Sequence, residues 1–128
     1  MSDVQVIKTD KAPAAIGPYS IGMIYGNLIF TAGQLGIDPD SGEIGQGGIE
    51  EETRQALTNI SNILEQAGSS LSNVLKTTVF LRDMNDFQSM NAVYSKFFTE
   101  NFPARSTLQV AAVPKFAAVE IEAIAYIE

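Results

Sequence analysis

The stretch Ile49-Glu50-Glu51-Glu52-Thr53-Arg54-Gln55-Ala56-Leu57-Thr58-Asn59-Ile60-Ser61-Asn62-Ile63-Leu64-Glu65-Gln66-Ala67-Gly68 carries Ile49, Thr53, Ala56, Leu57, Ile60, Ile63, Leu64 and Ala67 at helical spacing. Glu50, Glu51 and Glu52 sit at the positive end of the dipole this helix would have, and Gly68 supplies its stop. Downstream, Phe87, Met90, Tyr94 and Phe97 form a second apolar stripe. Asp83 or Asn85 can cap its start, and Pro103 lies beyond its end. The aromatic stripe reads as core packing rather than a cofactor box.

Around these two helices, segments rich in β-branched and aromatic residues predict strands at Val4–Ile7, Ser20–Tyr25, Leu28–Gly33, Val74–Leu81, Ser106–Ala111 and Val119–Ile127. Gly26-Asn27 is a hairpin signal, and Asp38-Pro39-Asp40-Ser41-Gly42 marks a further turn. The order β-β-β-α-β-α-β-β is an α+β plan: one domain over residues 1–128, a six-stranded mixed sheet with two helices on one face. The last strand, however, is apolar on both sides. Val119, Ile121, Ala123, Ala125 and Ile127 face one way, Ala118, Ile124 and Tyr126 the other. Helices on one side leave the second face in need of cover, which predicts self-association; the alternative is that Gly33–Gly48 folds over it.

Composition narrows the chemistry. The 128 residues include no cysteine and no histidine, which removes thiolate and imidazole nucleophiles and nitrogen- or sulfur-ligated zinc. Fifteen acidic against eight basic residues give a net charge of −7, with the basic residues scattered, so nucleic acid is a poor partner. A small anionic substrate would need a fixed cation in its site. No apolar run approaches the roughly 20 residues of a membrane span. Met1 to Thr9 lacks a signal-peptide core, so the expected location is cytoplasmic, or at least soluble and intracellular.

Three lookalike motifs fail on spacing or context. The Asp38–Gly42 turn places its glycine too early for a calcium loop. Asn59-Ile60-Ser61 is a glycosylation sequon inside a helix, and Gly45-Gln46-Gly47-Gly48 lacks the endings of a phosphate loop. What remains is Arg105, after Pro103-Ala104 at the mouth of a strand, where its fork can hold a carboxylate. On the neighbouring apolar strand, Glu120 and Glu122 share a face, and at least one is expected in a partly buried cleft suited to a base. Spacing alone leaves a surface arginine and a solvated polar face as open readings.

These residues also resemble a known family. Ala12-Pro13-Ala14-Ala15-Ile16-Gly17-Pro18-Tyr19-Ser20, Thr31-Ala32-Gly33-Gln34, Lys76-Thr77-Thr78-Val79-Phe80-Leu81, Asn85-Asp86-Phe87, Pro103-Ala104-Arg105-Ser106 and Val119-Glu120-Ile121-Glu122-Ala123 together are similar to the RidA (reactive intermediate deaminase A) family, over nearly the whole chain. The resemblance implies a chorismate-mutase-like fold, a homotrimer with sites between subunits, and no cofactor or metal. It implies hydrolysis of short-lived 2-imino acids, or their enamine tautomers, to 2-keto acids and ammonia. Arg105 would clamp the substrate carboxylate, Glu120 would activate water, and the Gly33 backbone would orient the substrate. Tyr19, Asn91 and Thr107 would line or support the site. Ala32, Thr107 and Ile21 depart from the commoner serine, cysteine and glutamine. A ligand-sensing or protein-protecting trimer using the same pocket is the alternative. Endoribonuclease activity, which the family also suggests, is opposed by the acidic balance and the absence of histidine.

Overall fold

The computed structural model describes residues 4–128; the opening three residues of the N-terminal segment, and that part of the one-domain reading, lie outside the described residues. Six strands, β1 (Val4–Ile7), β2 (Gly22–Tyr25), β3 (Leu28–Thr31), β4 (Val74–Leu81), β5 (Ala104–Gln109) and β6 (Val119–Tyr126), form one sheet in the order β1-β2-β3-β6-β4-β5. Every neighbouring pair is antiparallel except β4 and β5, which run parallel because α2 (Phe87–Phe97) carries the chain back between them. The other helix, α1 (Gly48–Gln66), links β3 to β4.

Local chemistry explains the boundaries. Gly26 takes φ 61 between the paired Tyr25 and Leu28, the pattern of a two-residue hairpin with glycine first. Helix α1 ends in a Schellman motif: Gly68, at φ 85, donates to Glu65 O at 3.0 Å, and Ser69 donates to Leu64 O at 2.9 Å. Asp83 accepts from Asn85 N at 2.9 Å and starts a short 3₁₀ turn that runs into α2. The expected Ser106–Ala111 strand begins two residues earlier, at Ala104, where pairing with Lys76 starts directly after Pro103. Arg105 therefore lies within β5 rather than at its mouth.

Both helices cover one sheet face. The core joins Ala56, Leu57, Ile60, Ile63 and Leu64 of α1 and Met90 and Tyr94 of α2 to Ile29, Val79, Val119, Ile121, Ala123 and Ala125 of the sheet. The opposite face stays open: Val4, Val6, Tyr25, Phe30 and Leu108 are all 40% exposed or more. The segment after β3 does not cover it. Asn59 of α1, fully buried, donates to Leu35 O at 3.1 Å and Ile37 O at 2.9 Å. Gly36 packs so closely on Glu52 that an added Cβ would sit 2.5 Å from the Glu52 Cα. These contacts hold the segment on the α1 side, where Leu35 joins Val113 and Ala117 in a second, smaller apolar cluster. The open apolar face is thus a property of the folded subunit.

Candidate functional site

The expected site residues form two separate groups, because pairing partners in a sheet share a face. Glu120 lies opposite Phe80, and Phe80 lies opposite Leu108 of β5. Arg105, three residues before Leu108, therefore points the other way, sharing its face with Thr77 and Ala123 under the helices. Glu120 and Arg105 leave the sheet in opposite directions from strands separated by β4. No rotamer joins them within one chain.

The first group surrounds Glu120. Ala32 donates to Ile21 O at 2.9 Å, and Gln34 and Ile121 exchange backbone bonds at 2.7 and 3.0 Å, which presses the segment between them onto β6. Gly33 is consequently in contact with the Glu120 side chain: a Cβ there would lie 2.7 Å from both Cδ and Oε2 of the carboxylate. Only hydrogen fits. Glu120 opens into a cleft of about 580 Å³ whose wall includes Tyr19, Ile21, Ala32, Gly33, Leu35 and Pro114. Burial, reinforced by the like charge of Glu122, raises the proton affinity of the Glu120 carboxyl above the ordinary carboxylate value. Tyr19, half-exposed, has its hydroxyl on the Ile16 backbone N–H at 3.3 Å, bracing the loop that forms the cleft rim.

The second group surrounds Arg105. Its guanidinium carbon lies 4.7 Å from the Tyr94 ring centroid and 5.6 Å from that of Phe87, a cradle built by one face of α2. Tyr94 is fixed in turn by a buried 2.7 Å hydrogen bond between its hydroxyl and Thr77, and by ring contact with Phe98 at 4.6 Å. Burial raises the Tyr94 pKa, against the pull of the Thr77 bond and of Arg105. Among the described residues the one ion pair is Arg54 with Glu51, so Arg105 has no carboxylate partner there. Thr107 Oγ1, on the same face of β5 as Arg105, and Asn91 Oδ1, on α2, are buried without a hydrogen-bond partner among the described residues. The guanidinium and the Thr107 hydroxyl are donors suited to a small carboxylate, whereas Asn91 Oδ1 can only accept.

A family model described as Endoribonuclease L-PSP matches residues 9–127. The chain belongs to this family. It is 54% identical to the 2-iminobutanoate/2-iminopropanoate deaminase of Bos taurus over 94% of this chain and 88% of that protein. It is 53% identical to a RutC family protein of Pyrococcus abyssi over 97% of this chain and 98% of that one. Among solved structures, RidA from the Antarctic bacterium Psychrobacter sp. superposes with a TM-score of 0.93 at 46% identity, covering 96% of this chain and 99% of that chain. The α+β fold expected from the sequence is the L-PSP fold.

Within that fold, Ile21 and Ala32, two of the three positions where the resemblance leads one to expect other residues, line the Glu120 cleft, while Thr107 lies on the same strand face as Arg105. Sequence reasoning missed the roles of Phe87, Tyr94 and Thr77. The aromatic stripe on α2 does pack the core, yet Phe87 and Tyr94 also carry the arginine. Their seven-residue spacing puts both rings on one helical face, and that was the available signal.

Proposed function

We propose that this protein is a 2-iminobutanoate/2-iminopropanoate deaminase, hydrolysing reactive imines and enamines to 2-keto acids and ammonia. The observation that carries the proposal is the more than 50% identity, over nearly the whole chain, to relatives bearing that name. The geometry supports a specific form of it. Each subunit would offer Arg105, with Asn91 and Thr107, to one neighbour, and Glu120, with Gly33 and Tyr19, to the other. The open apolar face would be the docking surface of a closed homotrimer.

In such a cleft Arg105 clamps the substrate carboxylate through its two-pronged donor geometry. Glu120 takes a proton from a water that attacks the carbon of the protonated imine, giving a neutral carbinolamine. The protonated carboxyl then returns that proton to the nitrogen, and as the C–N bond breaks the hydroxyl proton passes to the Glu120 carboxylate, leaving a 2-keto acid and ammonia. Raised proton affinity suits a carboxyl that must both accept and donate. The same protonated group can supply the proton that converts an enamine into its imine. An imine is already electrophilic, so positioning and one carboxyl suffice.

RNA cleavage, which the family description names, is the weaker reading. A net charge of −7 repels the phosphate backbone, and no histidine is present for acid–base work. The deciding experiment generates 2-iminobutanoate in situ with a pyridoxal-phosphate dehydratase and follows 2-ketobutyrate release. Acceleration over spontaneous hydrolysis is expected; release no faster than in buffer overturns the proposal.

A further inference from the structure

The turn between β5 and β6 holds a conformation that its residues do not favour. Lys115 lies at φ 57 and ψ 21, and Phe116 follows at φ 57, so two consecutive non-glycine residues occupy the left-handed region. Core packing does not ask this of Phe116, whose side chain is 79% exposed. The turn is held from outside instead. Arg82 donates through Nη1 to Phe116 O at 2.6 Å, and its guanidinium carbon stands 5.4 Å from the Phe116 ring centroid. Next along the chain, the Arg82 backbone donates to Ala118 O at 3.0 Å, and Ala118 N donates to the buried Glu52 carboxylate at 2.8 Å. Strain of this kind persists where the surroundings over-determine it, and it concentrates where a side chain has to be aimed.

What the turn presents is Pro114 and Lys115, both on the wall of the Glu120 cleft. Lys115 is the one cationic residue among those lining that cleft. Among the described residues no ion pair joins Lys115 to Glu120, so the Lys115 charge is not consumed in neutralising the carboxylate. A subunit of net charge −7 repels an anionic ligand at long range, and a cation at the cleft entrance offsets that repulsion locally. We propose that Lys115 captures small 2-oxo or 2-imino carboxylates on their way to Arg105, and that Arg82, acting through Phe116, is its positioning residue. The deaminase reading supplies the identity of the ligand here.

The test compares the wild-type protein with Lys115→Gln, Lys115→Arg, Arg82→Lys and the Arg82→Lys, Lys115→Gln double variant. Calorimetric affinity for 2-ketobutyrate and kcat/KM for imine hydrolysis are read from about 10 mM to about 500 mM salt. Lys115→Gln should weaken both by roughly threefold to tenfold at low salt, through KM rather than kcat, with the gap closing at high salt. Arginine at this position should restore them. Arg82→Lys retains a charge but loses the fork and the stack; it should reproduce the deficit alone and add nothing in the double variant. An unchanged affinity and salt profile in Lys115→Gln overturns the capture role, and an additive loss in the double variant overturns the positioning role of Arg82. Salt-dependent ketobutyrate binding that needs Lys115, without imine turnover, would sink the deaminase reading and leave capture standing. Normal turnover with no effect at Lys115 would do the reverse.

Discussion

Mixing two disabled variants should restore activity, because Arg105 and Glu120 point away from opposite faces of the same sheet. Arg105→Ala removes the clamp from every subunit of its own trimer, and Glu120→Gln removes the base from every subunit of the other. In a closed ring each site takes its arginine from one chain and its glutamate from the next. Co-expressing the variants in equal amounts assembles subunits at random. A site is then complete when its arginine donor is the Glu120→Gln chain and its glutamate donor is the Arg105→Ala chain. A ring that contains both chains always holds one such site in three, so about one third of wild-type turnover should return in the mixed trimers. The assay is 2-ketobutyrate release from an imine generated in situ, on trimers purified through distinct tags on the two chains. Mixtures no more active than the two parents would refute the split site, because sites built within single chains gain nothing from mixing.

Other expectations follow from named contacts. Arg105→Lys keeps the charge but loses bidentate geometry, and should lower kcat/KM on the order of 10²-fold. Glu120→Gln should lower kcat by roughly 10²–10⁴-fold while 2-ketobutyrate affinity, measured by calorimetry, stays near wild type. Gly33→Ala puts a methyl group 2.7 Å from the Glu120 carboxylate and should lower kcat about tenfold or more, with circular dichroism unchanged. Asn59→Ala leaves the Leu35 and Ile37 carbonyls without their donor and the Gln55 amide without its acceptor. It should cost about 2–3 kcal/mol in urea denaturation.

Much of this architecture was legible in the residues, and for identifiable reasons. Helix α1 announces itself through eight periodic positions and a glycine stop, whereas β6, apolar on both sides in sequence, shows its buried side only through the alternating burial of the folded strand. The uncovered face followed from counting helices against strand faces. The start of β5 was misplaced by two residues because Ala104 and Arg105 have little strand preference of their own; pairing with Lys76 and Thr77 of β4 recruits them. Lying inside β5 gives Arg105 a fixed direction, and the face it takes follows from its pairing with Thr77, so its separation from Glu120 could not be read before the register was known. The left-handed turn at Lys115 and Phe116 was likewise invisible: neither residue favours it, and the group that enforces it, Arg82, comes more than thirty positions earlier.

The opposed directions of Arg105 and Glu120 also shape how damage spreads through an assembly. In the proposed closed trimer, a subunit lacking only the arginine would spoil the catalytic centre on one of its flanks, and a subunit lacking only the carboxylate would spoil the centre on the other. A chain lacking both would silence the centres it shares with two healthy neighbours, so such an allele would act dominantly in a cell that also makes intact copies. The converse holds for duplicated genes: copies that have each lost a different half can persist together, since neither is dispensable while the other is expressed.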